Sequence, residues 1–141
     1  MFELVSFFMI ASKTWIICTA VPEVVKDLPS DWFNVCTEVV YRAEERGMSG
    51  AVAASVAWHE SRFTRNAVSK DGAIGPLQAI PKYCKGADPI DRGLNALEYH
   101  LNKQRTVSAA LCRYMGNGPG CNDGVRRARL ANRFWLAALG G

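Results

Sequence analysis

The chain has 141 residues, of which 49% are apolar, and a formal net charge of +4. This length suits one domain, and the apolar share is enough to build a core, which excludes an intrinsically disordered chain. The positive charge favours an anionic partner, but nucleic acid, an anionic membrane and the bacterial cell wall all qualify, and the alternative is a solvated helix face.

The predicted elements begin with an apolar amino-terminal segment. Residues 4–21 are mostly apolar, and small residues allow cleavage after Ala20, although Glu3 stands where a leader usually has a basic residue. We therefore predict a leader or membrane-anchor segment over residues 1–21, with membrane association through residues 4–21. The domain itself is predicted over residues 28–141. The alternative is an ordinary buried first helix.

Helical periodicity, caps and stop signals predict the elements that follow. Five stretches show them, at about 30–46, 49–61, 91–104, 107–114 and 124–139. Between the second and third stretches, glycine and proline are too dense for a long helix. The sequence therefore predicts a mainly α single domain with a long irregular loop, and such a loop in a small domain is usually functional.

The five cysteines form no Cys-x-x-Cys pair, so zinc or thioredoxin-like chemistry has no support. Cys112 and Cys121 bracket a glycine-rich turn and are one candidate disulfide. Cys36 and Cys84 are a second candidate pair. Both would need an oxidising compartment, and the alternative is buried free thiols.

Glu60 is the candidate for acid–base chemistry. It shares one helix face with Val52 and Val56, and that face is otherwise apolar. Desolvation, together with the negative end of the helix dipole, would favour a neutral carboxylic acid, which is the state that a general acid needs. The alternative is a glutamate that reaches solvent, and spacing alone favours that alternative.

The residues around Glu60 shift this balance. The pattern Glu60-Ser61-x-Phe63, followed by Ser69-x-x-Gly72-Ala73-x-Gly75 and then by Gln78, resembles the soluble lytic transglycosylase family, which shares the goose-type lysozyme fold. Pro76-Leu77 stands where that family usually has Leu-Met. The resemblance implies a lysozyme-like domain in which Glu60 is the acid.

The resemblance also implies roles for the neighbouring residues. Ser69 and Gln78 are expected in the glycan cleft as substrate-binding residues, with a turn cap as the alternative for Ser69. The expected structural residues at the site are Ser61, Phe63, Gly72 and Gly75, since glycine allows backbone angles that fold the loop back on the helix.

A second landmark of that family is a late Ala-Tyr-Asn-x-Gly stretch, with its tyrosine near the acid. Tyr114 matches this tyrosine, and we expect it to contact substrate. Met115 replaces the asparagine, so Asn117 is the candidate to supply the lost amide.

The implied reaction is cleavage of the β-1,4 bond between N-acetylmuramic acid and N-acetylglucosamine, giving 1,6-anhydro ends, or a hydrolytic product if water enters. Asp71 is expected to be exposed, so no second carboxylate is available. Glu60 alone would act as acid and base, without metal or cofactor. His59 is interpreted as structural or as part of the cleft rim.

The expected partner is peptidoglycan rather than nucleic acid, in the periplasm, the cell envelope or a phage virion. A secretion, conjugation or phage assembly is the predicted setting. Two alternatives remain open at this stage. One is a non-catalytic wall-binding or scaffold module, and the other is a membrane-active basic protein.

Overall fold

A computed structural model describes residues 2–140 of the chain. Within that range the chain forms six helices: α1 (Phe2–Val24), α2 (Trp32–Glu45), α3 (Gly50–Ser61), α4 (Pro89–Lys103), α5 (Val107–Tyr114) and α6 (Asn122–Gly140). No strand forms among these residues, and isolated antiparallel bridges join Val68 to Ile74 and Ile74 to Ala79. The predicted mainly α domain with a long irregular loop after the third helix is confirmed. Residues 64–87 are called the site loop below.

Side-chain caps explain where the helices begin. The Ser49 hydroxyl accepts a hydrogen bond from the amide of Val52 at 3.3 Å, as predicted for the start of α3. The fourth helix begins earlier than predicted, because the Asp88 carboxylate accepts from the amide of Asp91 at 2.8 Å. Pro89 follows this cap, at a position in the first turn where a missing N–H costs nothing.

The core is built around α3, in which residues 50–58 are all buried. This helix packs between α2 and α6, while α5 joins α6 to α4. An all-round apolar helix of this kind lies inside a domain rather than on its surface. The largest fully buried side chains include Phe63, Phe134, Ile17, Leu77, Leu94, Leu97 and Leu111.

The second half of α1 belongs to the same core. Ile17, Cys18 and Val21 are fully buried, and α1 packs against α6, α2 and α3. This differs from the expected domain start at residue 28. The first half is different: Phe2, Phe8 and other apolar residues there are largely exposed. By length and composition, α1 could cross a membrane.

Two disulfides form, and one of them corrects the predicted pairing. Cys112 bonds to Cys121, as predicted. The predicted pair of Cys36 with Cys84 is wrong, because Cys36 bonds to Cys18 with their Cα atoms 5.9 Å apart, and Cys84 remains a free, half-buried thiol. Docking of α1 on α2 is a long-range event, which residue spacing along the chain does not reveal.

Ion pairs hold both ends of the site loop against α2. At one end, Arg65 donates to Glu38 at 2.6 Å and to Asp31 at 3.1 Å. At the other end, Arg42 donates to both oxygens of Asp88 at 3.0 Å. The loop is therefore fixed at its two ends to a helix that also packs on α3.

Candidate active site

Glu60 is the penultimate residue of α3, and its side chain is 20% exposed. The carboxylate is not surrounded by apolar groups alone. Arg127 of α6 donates from Nη1 to Oε2 of Glu60 at 2.7 Å, and the Arg127 side chain is itself only 12% exposed. The expectation of a purely apolar setting for Glu60 is therefore corrected, because a guanidinium lies against the carboxylate.

The chain reverses sharply just after Glu60. Arg62 and Phe63 both lie in the left-handed region, with φ of 55° and 58°, which bulky residues rarely adopt. Burial compensates for this cost. Phe63 is fully buried between the rings of Trp58 and Trp32, at centroid distances of 6.1 and 6.3 Å. The reversal turns the site loop back toward the end of α3.

Ser61 ties the end of α3 to the site loop. Its hydroxyl lies 2.8 Å from the carbonyl of Pro76 and 3.1 Å from that of Ala57, and it accepts from the amide of Thr64 at 3.2 Å. A residue adjacent to Glu60 thus holds the middle of the loop in place. The structural role of Ser61 at the site stays a prediction, and these contacts support it.

A glycine is required at position 75 both by the neighbouring atoms and by the backbone dihedral angle. Its φ is 89°, and a Cβ at this position would lie 2.6 Å from the Cβ of Pro89 at the start of α4. Gly72 also has a positive φ, of 85°, but faces open space. A side chain at Gly75 would push the loop away from α4, whereas one at Gly72 would strain only the local turn.

Ser69 and Gln78 make their hydrogen bonds within the site loop. The Ser69 hydroxyl accepts from the amide of Ala73 at 3.0 Å, which is the turn-capping alternative. Gln78 Nε2 lies 3.0 Å from the carbonyls of both Ala67 and Gly75. Both side chains therefore shape the loop, and contact between them and substrate stays a prediction.

Tyr114, at the end of α5, reaches across to the site loop. Its hydroxyl donates to the backbone carbonyl of Leu77. Burial raises the pKa of Tyr114, and the negative charge of Glu60 raises it further, so the phenol stays neutral. The influence of Glu60 places Tyr114 close to the candidate acid. Asn117 is exposed in the turn after α5, where its backbone N–H donates to the carbonyl of Cys112 at 2.9 Å.

His59 and Asp71 occupy the rim of this region. The Nδ1 atom of His59 lies 3.0 Å from the carbonyl of Ser55, one turn back in α3. Burial lowers the pKa of His59, and the positive charges of Arg127 and Arg62 contribute in the same direction, although the hydrogen bond to Ser55 opposes them. A neutral imidazole results. Asp71 is exposed, as expected.

A cavity of about 470 Å³ lies between the carboxyl end of the site loop and α4. Cys84 lines this cavity, and its charge is one cause of the raised pKa of Tyr114. Both tyrosines of the lining are exposed and can offer flat faces to a sugar ring. The lining residues are Tyr83, Cys84, Lys85, Asn95, Ala96, Tyr99 and His100.

Arg127 is the site residue that sequence reasoning missed. It is one of seven basic residues after residue 100, and nothing in the local pattern separates it from its exposed neighbour Arg126. Arg127 and Glu60 are 67 residues apart in the chain. The pairing arises only because α6 packs along α3.

Comparison with known proteins gives one match, to a family model. A family model described as "Transglycosylase SLT domain" matches residues 39–110, which is half of the chain. The matched region contains Glu60 and the whole site loop, and it ends before Tyr114 and Arg127. No curated protein and no solved structure matches the chain.

Proposed function

Because the chain belongs to the SLT transglycosylase family, whose members act on peptidoglycan, we propose that it cleaves glycan strands with Glu60 as both acid and base. The observation that carries this proposal is the position of Glu60. A largely shielded carboxyl group ends a buried helix, and the site loop is folded against that end by Ser61.

The proposed reaction proceeds in two steps at one carboxyl group. Glu60 gives its proton to the oxygen between N-acetylmuramic acid and N-acetylglucosamine, and the glycosidic bond breaks toward an oxocarbenium-like state. The Glu60 carboxylate then takes a proton from the C6 hydroxyl of the muramoyl residue. That oxygen attacks C1 and closes a 1,6-anhydro ring, which restores the acid.

The remaining side chains support this chemistry indirectly. Tyr114 stays neutral, so it adds no charge next to Glu60 and can act as a hydrogen-bond partner. The exposed Tyr83 and Tyr99 offer faces on which sugar rings can pack. Asp71 is exposed and has no role in the reaction, which is why a single-carboxyl mechanism is proposed.

The decisive experiment is digestion of purified peptidoglycan, followed by mass spectrometry of the released muropeptides. The wild type should release fragments with anhydro ends, each lighter by one water than a hydrolytic product. Glu60→Gln should lower the rate by at least about a hundredfold, because general acid–base catalysis contributes 10²–10⁴-fold.

Glu45→Gln is a matched control, since Glu45 is an exposed glutamate at the end of α2. It should cleave at the wild-type rate, and circular dichroism should show the same helix content in both variants. Retained cleavage by a folded Glu60→Gln variant would overturn the proposal. Reducing ends in place of anhydro ends would keep Glu60 as the acid but replace ring closure by attack of water.

We further propose that the protein works outside the cytoplasm and is held at a membrane by α1. Two disulfides support an oxidising compartment. The apolar first half of α1 is exposed on several sides, which suits contact with lipid. The helix is proposed to remain attached, because cleavage after Ala20 would remove Cys18 and other buried residues from the core.

A further inference from the structure

Arg127 contacts α3 at two points, one at Glu60 and one about a turn and a half earlier, at Ser55. Its guanidinium donates to Glu60, and its backbone carbonyl accepts from the hydroxyl of Ser55 at 2.6 Å. Ser55 is fully buried. The hydrogen bond from Ser55 to the backbone carbonyl fixes the position of Arg127 along the axis of α3. The guanidinium therefore points to one oxygen of Glu60 and is not free to move around the carboxylate.

The other ionisable groups near Glu60 carry no competing full charge at hydrogen-bonding distance. On α3 itself, His59 is held neutral by burial, and the cation of Arg62 lies over the ring of Trp58. From α5, Tyr114 is a neutral phenol, because burial raises its pKa. Arg127 is therefore the group whose charge acts directly on Glu60.

We propose that Arg127 is the positioning residue for Glu60: it holds Oε2 and directs Oε1 to the glycosidic oxygen. The proposal rests on the acid–base role proposed for Glu60. It concerns how that group is aimed.

The geometry explains how a single carboxyl group can serve both steps. A guanidinium has donors only and keeps its charge at every working pH, so Arg127 can hold Oε2 throughout the cycle. The proton is then carried on Oε1. When Glu60 gives up this proton, the negative charge forms beside an existing positive charge, which stabilises the carboxylate until it acts as the base.

The test is the measurement of kcat and KM for Arg127→Gln and Arg127→Lys on soluble peptidoglycan fragments. For Arg127→Gln we expect kcat to fall on the order of tenfold with KM near the wild-type value, since Oε1 is no longer aimed. Arg127→Lys keeps the charge without the planar fork, so it should recover part of that loss in kcat.

Arg126→Gln is the matched control, because Arg126 is the exposed neighbour on the same helix and pairs with Asp123. Its kcat and KM should be those of the wild type. A folded Arg127→Gln variant with the wild-type kcat would overturn the proposal, and so would a control whose kcat falls equally. A purely structural role for Arg127 would lower the melting temperature of the variants and give no recovery of kcat in Arg127→Lys.

Circular dichroism shows which variants are folded. If Arg127→Gln does not fold, Arg127→Lys decides the proposal: a kcat below the wild type with an unchanged KM supports it, and a wild-type kcat overturns it. Glu60→Gln separates the two proposals, since its activity decides the role of Glu60, whereas the kcat of the Arg127 variants decides the role of Arg127.

Discussion

At the scale of single residues, the site depends on side chains that hold the backbone at unfavourable dihedral angles. Arg62 and Phe63 both take left-handed angles. Phe63 does so while fully buried, and Ser61 secures the loop that follows. Strain of this kind persists only where packing over-determines the conformation, and it clusters at functional sites. Tyr114 also holds the site loop in place, because its hydroxyl donates a hydrogen bond to the carbonyl of the buried Leu77.

Tyr114→Phe tests that support. Removing the hydroxyl leaves the Leu77 carbonyl without its hydrogen bond, which should cost about 1–3 kcal/mol of stability. We expect a melting temperature lower by several degrees, and a lower kcat, because the site loop is held less firmly against α5. The pH profile should not move, since the phenol is neutral throughout the working range. Calorimetry and kinetics on soluble fragments give both quantities.

Tyr99→Phe provides the comparison, as Tyr99 is exposed on α4. Its melting temperature should match the wild type. If Tyr114→Phe melts at the same temperature as this control, the contact with Leu77 contributes nothing to stability. A moved pH limb in Tyr114→Phe would show instead that the phenol ionises during the reaction.

At the scale of elements, α1 is the least predictable part of the molecule and is firmly attached to the rest. Its composition is that of a leader or an anchor, yet Ile17 and Val21 are fully buried against the other helices. The disulfide from Cys18 to Cys36 joins α1 to α2 across a sequence separation of 18. A cross-link closing a loop of this size restricts the unfolded chain and stabilises the fold by roughly 3 kcal/mol.

Replacing Cys18 and Cys36 together by alanine should therefore lower the free energy of unfolding by roughly 3 kcal/mol, the value that loop closure provides. Denaturant unfolding by circular dichroism measures it. Cys84→Ala is the control, because Cys84 is a free thiol, and it should unfold close to the wild-type midpoint. A double variant as stable as this control would show that the α1–α2 link contributes nothing to the stability of the domain.

At the scale of the whole molecule, two surfaces differ in character. One is the site loop with the end of α3. The other is the exposed first half of α1, which carries Phe8 at 60% exposure and Met9 at 67%. Contiguous apolar surface of this kind marks an interaction site, whereas scattered apolar residues are normal. We propose that α1 contacts lipid through this apolar surface, while the site loop contacts glycan.

Phe8→Glu should weaken binding to phosphatidylcholine vesicles by at least about tenfold, because burying a phenylalanine side chain is worth 1.5–3 kcal/mol. Uncharged vesicles remove the contribution of the net charge of +4. Cleavage of soluble fragments should be unchanged, since Phe8 contacts Phe7 and lies outside the site. Co-sedimentation measures the binding.

Tyr99→Glu is the control, because Tyr99 is an exposed aromatic residue of α4 and lies outside the apolar surface of α1. It should bind vesicles as the wild type does. Equal loss in both variants would point to a general effect of negative charge. A wild type that does not sediment with vesicles would rule out α1 as a lipid-binding element.

Much of this structure can be predicted from the sequence, because it depends on local interactions. Helix bounds follow from periodicity and caps, which act within a few residues, and α5 was predicted at its observed bounds of 107–114. Glu60 and the site loop are close in sequence, and their spacing carries the family resemblance. Cys112 and Cys121 are separated by only nine positions, so their pairing was also predictable.

Tertiary structure alone decided the contacts between distant segments. The ion pair of Glu60 with Arg127 spans 67 residues, and it changes the expected surroundings of the acid from apolar to charged. The bond of Cys18 to Cys36 and the contact of Tyr114 with Leu77 likewise depend on how helices dock. Helix docking is set by the packing of whole faces in one shared core, and local patterns do not specify which faces meet.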